Sequence, residues 1–316
     1  MSKIALAIHG GCGVMAKLDL TEAEWEAARA DLGRALVAGH AILKAGGRAL
    51  DAVQAAVVVM EDSPHFNAGH GAALNENGVH ELDASIMDGA TLEAGAVSAA
   101  RALRNPIKVA RAVMEHGEAV LLTGEAADKF AIAQGLETEP QSYFTTPRRL
   151  QALASMKAHA AAGTAALAKE SEKHGTVGAV ALDASGHLAA ATSTGGYTNK
   201  PDGRVGDSPI IGAGTYARDG VCAVSGTGKG EFFIRHVVGH EIASRVAYLG
   251  ETLTDAATKV VMEDLKPHQI GAGLVAVGAD GAVAAPYNTD GMFRGWVDAE
   301  GRYWVGSHAE VYEYHP

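Results

Sequence analysis

Residues 173–183 read KHGTVGAVALD and mark a boundary between two textures. Upstream, ALAKESEKHG (166–175) is polar and alanine-rich, while the chain from Val177 onward is apolar and β-prone. Two strand-like runs, Thr176–Leu182 and Leu188–Thr194, flank the turn Asp183-Ala184-Ser185-Gly186. If Leu182 faces Leu188, paired positions carry numbers summing to 370, and Thr194 stands across from Thr176 within one residue of register. Two threonines on strands are ordinary β-formers. Here, however, they close the open end of a hairpin, with Gly175 before one and Gly195-Gly196 after the other.

A threonine hydroxyl is a poor nucleophile unless a base stands beside it, and its own α-amine, with a pKa of about 7.7–8.0, is such a base. The amine of an internal residue must first be freed. Glycine at 175 removes Cβ crowding at the carbonyl that the hydroxyl attacks and tolerates strained dihedrals. The expectation is therefore self-cleavage of Gly175–Thr176 by an N→O acyl shift followed by hydrolysis. In the stretch from about 141 to 175, QSYFTTPRR is loop-like and LQALASMKAHAAAGTAALAKESEKH is helix-permissive with little beyond alanine to bury; the whole is read as a mobile connector that lets the new end retreat.

Working outward, Ile4–Ile8 reads as a strand ending at His9-Gly10-Gly11, and Thr21 with Glu24 has capping-box spacing for a helix to about Lys44. Ala49–Glu61 reads as a buried helix, His80–Met87 and Leu92–Ala99 as a hairpin over Asp88-Gly89, and Pro106 opens a helix to about His116. A short strand, Ala119–Leu122, and a helix, Glu125–Gln134, follow. Further hairpins are expected around Arg218-Asp219-Gly220 and Asp280-Gly281, with helices at Phe232–Leu249 and Leu253–Leu265 between them. Antiparallel sheets with helices in consecutive pairs are an α+β layered pattern.

The 316 residues suffice for one large domain or two ordinary ones, and a net charge of −11 argues against nucleic acid and anionic membranes, which need clustered cations. Cys12 and Cys222 are too few for a disulfide framework. The opening MSKIALAIHGG has an apolar run of only five residues, where a secretory core needs roughly 7–15 and a membrane span about 20. The expected address is cytoplasmic. Glycine, at 39 residues, is well above the usual ~7% and recurs as GHGA, STGGY and SGTGKGE, where backbone must turn tightly or lie close to a ligand.

HGTVGAVALD, then AAATSTGGYTNKPDGRVGDSPIIGAG and SGTGKGEFFIR, resembles the plant-type L-asparaginase/isoaspartyl aminopeptidase family of N-terminal-nucleophile hydrolases. AIHGG, EDSPHFNAGHGA, HELDASIMDG, GAVSAARALRNP and PYNTDGMFRGW extend the likeness over nearly the whole chain except the connector. The resemblance implies a single four-layer αββα sandwich spanning 1–316, cut into an α piece (1–175) and a β piece (176–316), two precursors pairing into an (αβ)2 dimer. It implies Thr176 as nucleophile for both self-cleavage and hydrolysis of L-asparagine and β-aspartyl dipeptides, with Thr194 tuning its hydroxyl. Arg204 would hold the substrate α-carboxylate, which a guanidinium fork fits bidentately, and Asp207 the α-ammonium. Thr227 and Gly228 would form the oxyanion hole, Gly230 would complete the binding backbone, and Asn67 would support the nucleophile. No cofactor is implied beyond a structural sodium ion on the main-chain carbonyls of Met60, Glu61, Ser63, Phe66, Ala68 and His70.

Two departures stand out. Gly175 occupies the position where related glycosylasparaginases carry Asp, and Lys229 stands where a short residue is usual, which points to an effect on the leaving group. Two rival readings remain open. His236 and His240 with Glu241 are spaced for one helix face but lack the H-E-x-x-H order and a third ligand. Gly226–Gly230 faintly suggests a phosphate cradle without the P-loop spacing, which would make the chain a nucleotide-binding module. An uncleaved, non-catalytic relative is the remaining alternative.

Overall fold

A computed structural model describes residues 3–13, 20–164 and 175–316. Two sheets face each other. The larger has nine strands in the order β13-β12-β11-β1-β5-β6-β2-β3-β4, formed by β1 (Ala5–Gly13), β2 (Leu82–Asp88), β3 (Ala94–Ala100), β4 (Leu121–Thr123), β5 (Val177–Leu182), β6 (Leu188–Thr194), β11 (Gly291–Val297), β12 (Tyr303–Gly306) and β13 (Val311–Tyr314). The smaller has four, β10-β9-β8-β7, from β7 (Thr215–Arg218), β8 (Cys222–Gly228), β9 (Ala272–Gly278) and β10 (Val283–Ala284). The named pairs are antiparallel except β3 with β4, which run parallel.

Strand parity builds the layers. Along β5, Val177, Ala179 and Ala181 join a core with α1 (Glu22–Lys44), α2 (Ala49–Glu61), α3 (Pro106–His116) and α4 (Gly124–Ala133). The alternate residues Val180 and Leu182 face a second core with β7, β8 and β9. Because successive side chains on a strand point to opposite faces, one apolar run serves helices on one side and a sheet on the other. The far face of the small sheet is covered by α8 (Val238–Leu249) and α9 (Leu253–Lys259), which completes a helix–sheet–sheet–helix α+β sandwich.

The β5–β6 register is the expected one, with Val177 opposite Ser193 and Leu182 opposite Leu188. The capping box at Thr21 forms: Thr21 Oγ1 accepts the Glu24 amide, and the Glu24 carboxylate accepts the Thr21 amide.

Several expectations need correction. Residues 141–161, part of the expected connector, form α5 (Gln141–Phe144) and α6 (Pro147–Ala161). They bury more than alanine: Phe144 is fully buried against Ala72 and Leu82, and the Arg149 guanidinium donates to the Gly71 carbonyl. The remainder of that stretch, 165–174, lies outside the described residues.

The helix expected over 232–249 breaks at Val237, which sits at φ 48° between α7 (Gly230–His236) and α8. The amides of Gly239 and His240 donate to the carbonyls of Ala213 and Gly212, so a neighbouring loop takes bonds that a continuous helix would make internally. The run to Leu265 finishes as a π-helical turn, Val260–Leu265. The strands β11 to β13 are additions that the sequence reading passed over, and β11 flanks β1 in the middle of the large sheet.

Candidate active site

Hairpin β5–β6 opens toward the end of β1, and Thr176 and Thr194 meet there with Oγ–Oγ 3.2 Å. The carbonyl oxygen of Gly175 is the focus of this end. It accepts from the Thr176 hydroxyl at 2.6 Å, the Thr194 hydroxyl at 3.1 Å and Asn67 Nδ2 at 3.0 Å. Thr194 Oγ1 in turn accepts the Gly196 amide at 3.0 Å, which frees its hydrogen for the other side.

Asn67 is pinned from several directions. Its Oδ1 takes the Ala73 amide at 2.6 Å, its Nδ2 also reaches the Gly196 carbonyl at 2.5 Å, and its own carbonyl takes the Gly195 amide at 3.0 Å. Glycine is required around the Gly175–Thr176 link. Gly11 has φ +109°, and a Cβ there would come within 2.9 Å of Gly175 Cα and 3.0 Å of the Thr176 nitrogen.

Thr176, Thr194, Arg204, Asp207 and Gly228 line one narrow cleft together with Tyr197. Arg204 lies over the Tyr197 ring at 4.6 Å, and Glu231 Oε1 binds its Nε and Nη2, each at 3.0 Å. This clamp occupies Nε and Nη2 and leaves Nη1 out of the bond to Glu231. Asp207 is buried, and its Oδ2 has no hydrogen-bond partner among the described residues. Burial is the largest influence on it and raises its pKa to about 7, against the opposing pull of Arg204. Gly230 stands beside it, where a Cβ would come within 2.8 Å of the carboxylate.

Asn67 meets the cleft through its bond to the Gly175 carbonyl, while Thr227 adjoins the lining residue Gly228 and Gly230 the lining residue Asp207. Thr227 Oγ1 accepts the Cys12 amide at 3.1 Å, joining β8 to the end of β1. Lys229 is partly neutralised, with Nζ 3.7 Å from Glu231 and 4.7 Å from the Tyr197 ring centre. Tyr197 and Glu231, which organise both cations, were not singled out from the sequence. The aromatic directly after STGG and the acid directly after GTGKG were the available signals.

The loop after α2 places glycines against carbonyls. A Cβ on Gly71 would come within 2.9 Å of the Phe66 and Pro64 oxygens, and the Glu61 oxygen accepts the His70 amide at 2.7 Å. The Glu61 side chain points elsewhere, taking Ser193 Oγ at 2.6 Å and the Ile107 amide at 3.0 Å, with burial pushing its pKa up to about 8.

The rival motifs disperse. His236 packs on the His268 ring and His240 on Tyr216. The amides of Gly226 and Lys229 donate to the carbonyls of Gly214 and Gly271, so this backbone is committed to sheet and loop rather than open to a phosphate. Among the described residues, no group of three or more His, Cys, Asp or Glu side chains could hold a metal ion, and no helix is long and apolar enough to cross a membrane.

The family model described as asparaginase matches residues 2–306. The isoaspartyl peptidase of Salmonella typhimurium is 46% identical over 302 residues, covering 94% of this chain and 96% of the relative. A putative isoaspartyl peptidase/L-asparaginase of Dictyostelium discoideum is 45% identical over 325 residues, covering 93% of each chain. The isoaspartyl peptidase/L-asparaginase of Mus musculus is 43% identical, covering 92% and 86% respectively. With a layered α+β fold and a threonine-centred cleft already described, these matches span the chain rather than one motif, and the protein belongs to the asparaginase family.

Proposed function

We propose that this protein is a self-activating amidohydrolase that cleaves L-asparagine and β-aspartyl dipeptides through a threonine acyl-enzyme. The observation that carries the reading is the convergence of the Thr194 hydroxyl and the Asn67 amide on the Gly175 carbonyl oxygen, with the Thr176 hydroxyl beside it. Thr176 Oγ attacks the Gly175 carbonyl carbon, and Asn67 and Thr194 stabilise the charge that develops on its oxygen. The C–N bond breaks as the nitrogen takes up a proton, and water hydrolyses the resulting ester. Loss of one such oxyanion donor typically costs ~3 kcal/mol of transition-state stabilisation.

The freed amine then serves as base. Thr176 Oγ attacks the side-chain carbonyl of the substrate, ammonia or an amino acid leaves, and water releases aspartate. Arg204 binds the α-carboxylate by the edge that Glu231 leaves open, and Asp207 binds the α-ammonium. Thr227 offers its hydroxyl hydrogen to the substrate oxyanion because its oxygen already accepts the Cys12 amide, and Gly228 adds its N–H. A structural sodium ion would be held by the main-chain carbonyls of Met60, Glu61, Ser63, Phe66, Ala68 and His70, where it would brace the segment carrying Asn67. Two precursors are taken to pair into (αβ)2, each copy a single domain over 1–316.

A denaturing gel with N-terminal sequencing tests the reading. Cutting a 316-residue chain after Gly175 leaves pieces of 175 and 141 residues, the second beginning TVGAV. A fully active, unbroken chain would overturn it. Arg204→Lys is a second test: the charge persists but the two-pronged geometry is lost, so KM for L-asparagine should rise ~10- to 100-fold with a smaller change in kcat. An unchanged KM would remove Arg204 from the carboxylate site.

A further inference from the structure

We infer that His9 is a positioning residue for Thr176, and that Ser225 and Thr192, the nearest members of a chain of buried hydroxyls crossing both sheets, support the tautomer in which it donates. The inference rests on the assignment of Thr176 as nucleophile. His9 Nδ1 is 3.0 Å from the carbonyl oxygen of Thr176, and its Nε2 is 2.9 Å from Ser225 Oγ. Ser225 Oγ is 2.7 Å from Thr192 Oγ1, which is 2.6 Å from Thr215 Oγ1, which is 2.7 Å from Ser85 Oγ. All of these side chains are buried, and they come from β1, β8, β6, β7 and β2.

The direction follows from what each atom can do. A carbonyl only accepts, so the hydrogen between Thr176 and His9 sits on Nδ1. Burial holds the imidazole neutral, its pKa lowered to about 3, so Nε2 carries a lone pair and accepts from Ser225. Ser225 has then used its hydrogen, and its oxygen takes that of Thr192, which takes that of Thr215; at the far end Ser85 shares its hydrogen between Thr215 Oγ1 and the Ser208 carbonyl, 2.6 Å away. With the opposite tautomer, two lone pairs would face each other across 3.0 Å. Removing one hydroxyl weakens the preference at His9 without touching Thr176.

The fold makes room for this arrangement. A Cβ on Gly178, two residues beyond Thr176, would overlap both Ser225 Oγ and His9 Nε2. The second glycine of GTVGAV thus allows the histidine–serine bond to form under β5. The Thr176 carbonyl matters because residue 176 precedes the first β5 pair, Val177 with Ser193. Once the link to Gly175 is cut, the carbonyl clamp sets the peptide plane from which the free amine and hydroxyl project. A misplacement of ~1 Å in such a nucleophile can cost 10²-fold in rate.

Ser225→Ala and Thr192→Val, both close to isosteric, should lower kcat for L-asparagine about tenfold, normalised to the cleaved fraction on a gel, with KM within about twofold. His9→Phe should lower kcat about 100-fold. In the double variant His9→Phe/Ser225→Ala, the losses should not multiply, because the serine acts through the histidine. Unchanged kcat in both isosteric variants, a rise in KM alone, or multiplying losses would overturn the inference. If His9→Phe fails to fold, the isosteric pair still decides. Thr176→Ala separates the two layers: if it retains activity, the nucleophile assignment fails, whereas if it is inactive beside unaffected Ser225→Ala and Thr192→Val, only the role of His9 fails.

Discussion

Thr176→Ala should migrate as one uncut band and hydrolyse L-asparagine at least ~10⁴-fold more slowly than the parent, because one substitution removes the attacking oxygen of both reactions. The fold should survive. The hydroxyl bonds to the Gly175 carbonyl and Thr194 are worth about 0.5–1.5 kcal/mol each, and the β5 pairs begin one residue later. Far-ultraviolet circular dichroism and the melting temperature should therefore stay close to the parent's. Thr176→Ser keeps the oxygen and loses only the methyl group, so it should cleave itself and regain activity to within about tenfold. An uncut but fully active Thr176→Ala protein would end the proposed mechanism, since no other residue was assigned the attack.

The parts of this site that were legible in the sequence are those set by short-range geometry. The Asp183–Gly186 turn fixes the β5–β6 register, and strand periodicity then brings Thr194 to Thr176. Features decided by distant partners were not legible. Val237 breaks a helix because the loop at Gly212 and Ala213 supplies acceptors for the amides after it. Phe144 looked like loop until Ala72 and Leu82 closed over it. Ser85, Thr192, Thr215 and Ser225 are ordinary strand residues one at a time, and only the stacking of two sheets makes them a chain. His9 stood in a recognised motif, but its partners lie more than 160 positions away. Arg204 and Asp207 were found through the motif GRVGDSP, whereas the clamp of Tyr197 and Glu231 on Arg204 required coordinates.

Asp207→Asn should separate binding from stability, because the carboxylate is held where it costs the empty protein free energy. Its folded-state pKa is raised to about 7 from 3.8, mainly by burial. For an acid shifted upward, the folded state holds its proton more tightly than the unfolded state. Below about pH 4 both are protonated and nothing is lost; from there to about pH 7 stability falls as pH rises, and above that the loss levels off. A shift of roughly three units corresponds to ~4 kcal/mol in order of magnitude. Asn cannot ionise, so Asp207→Asn should melt several degrees higher than the parent at pH 8, with the gap closing toward pH 4. The same substitution removes the counter-charge for a substrate ammonium, which should raise KM for L-asparagine ~30- to 1000-fold. In the parent, KM should rise as pH falls below about 7, because binding needs the carboxylate and the free site holds a proton there. A KM that is flat between pH 5 and 8, or an Asp207→Asn protein that binds normally, would show that the ammonium is held elsewhere.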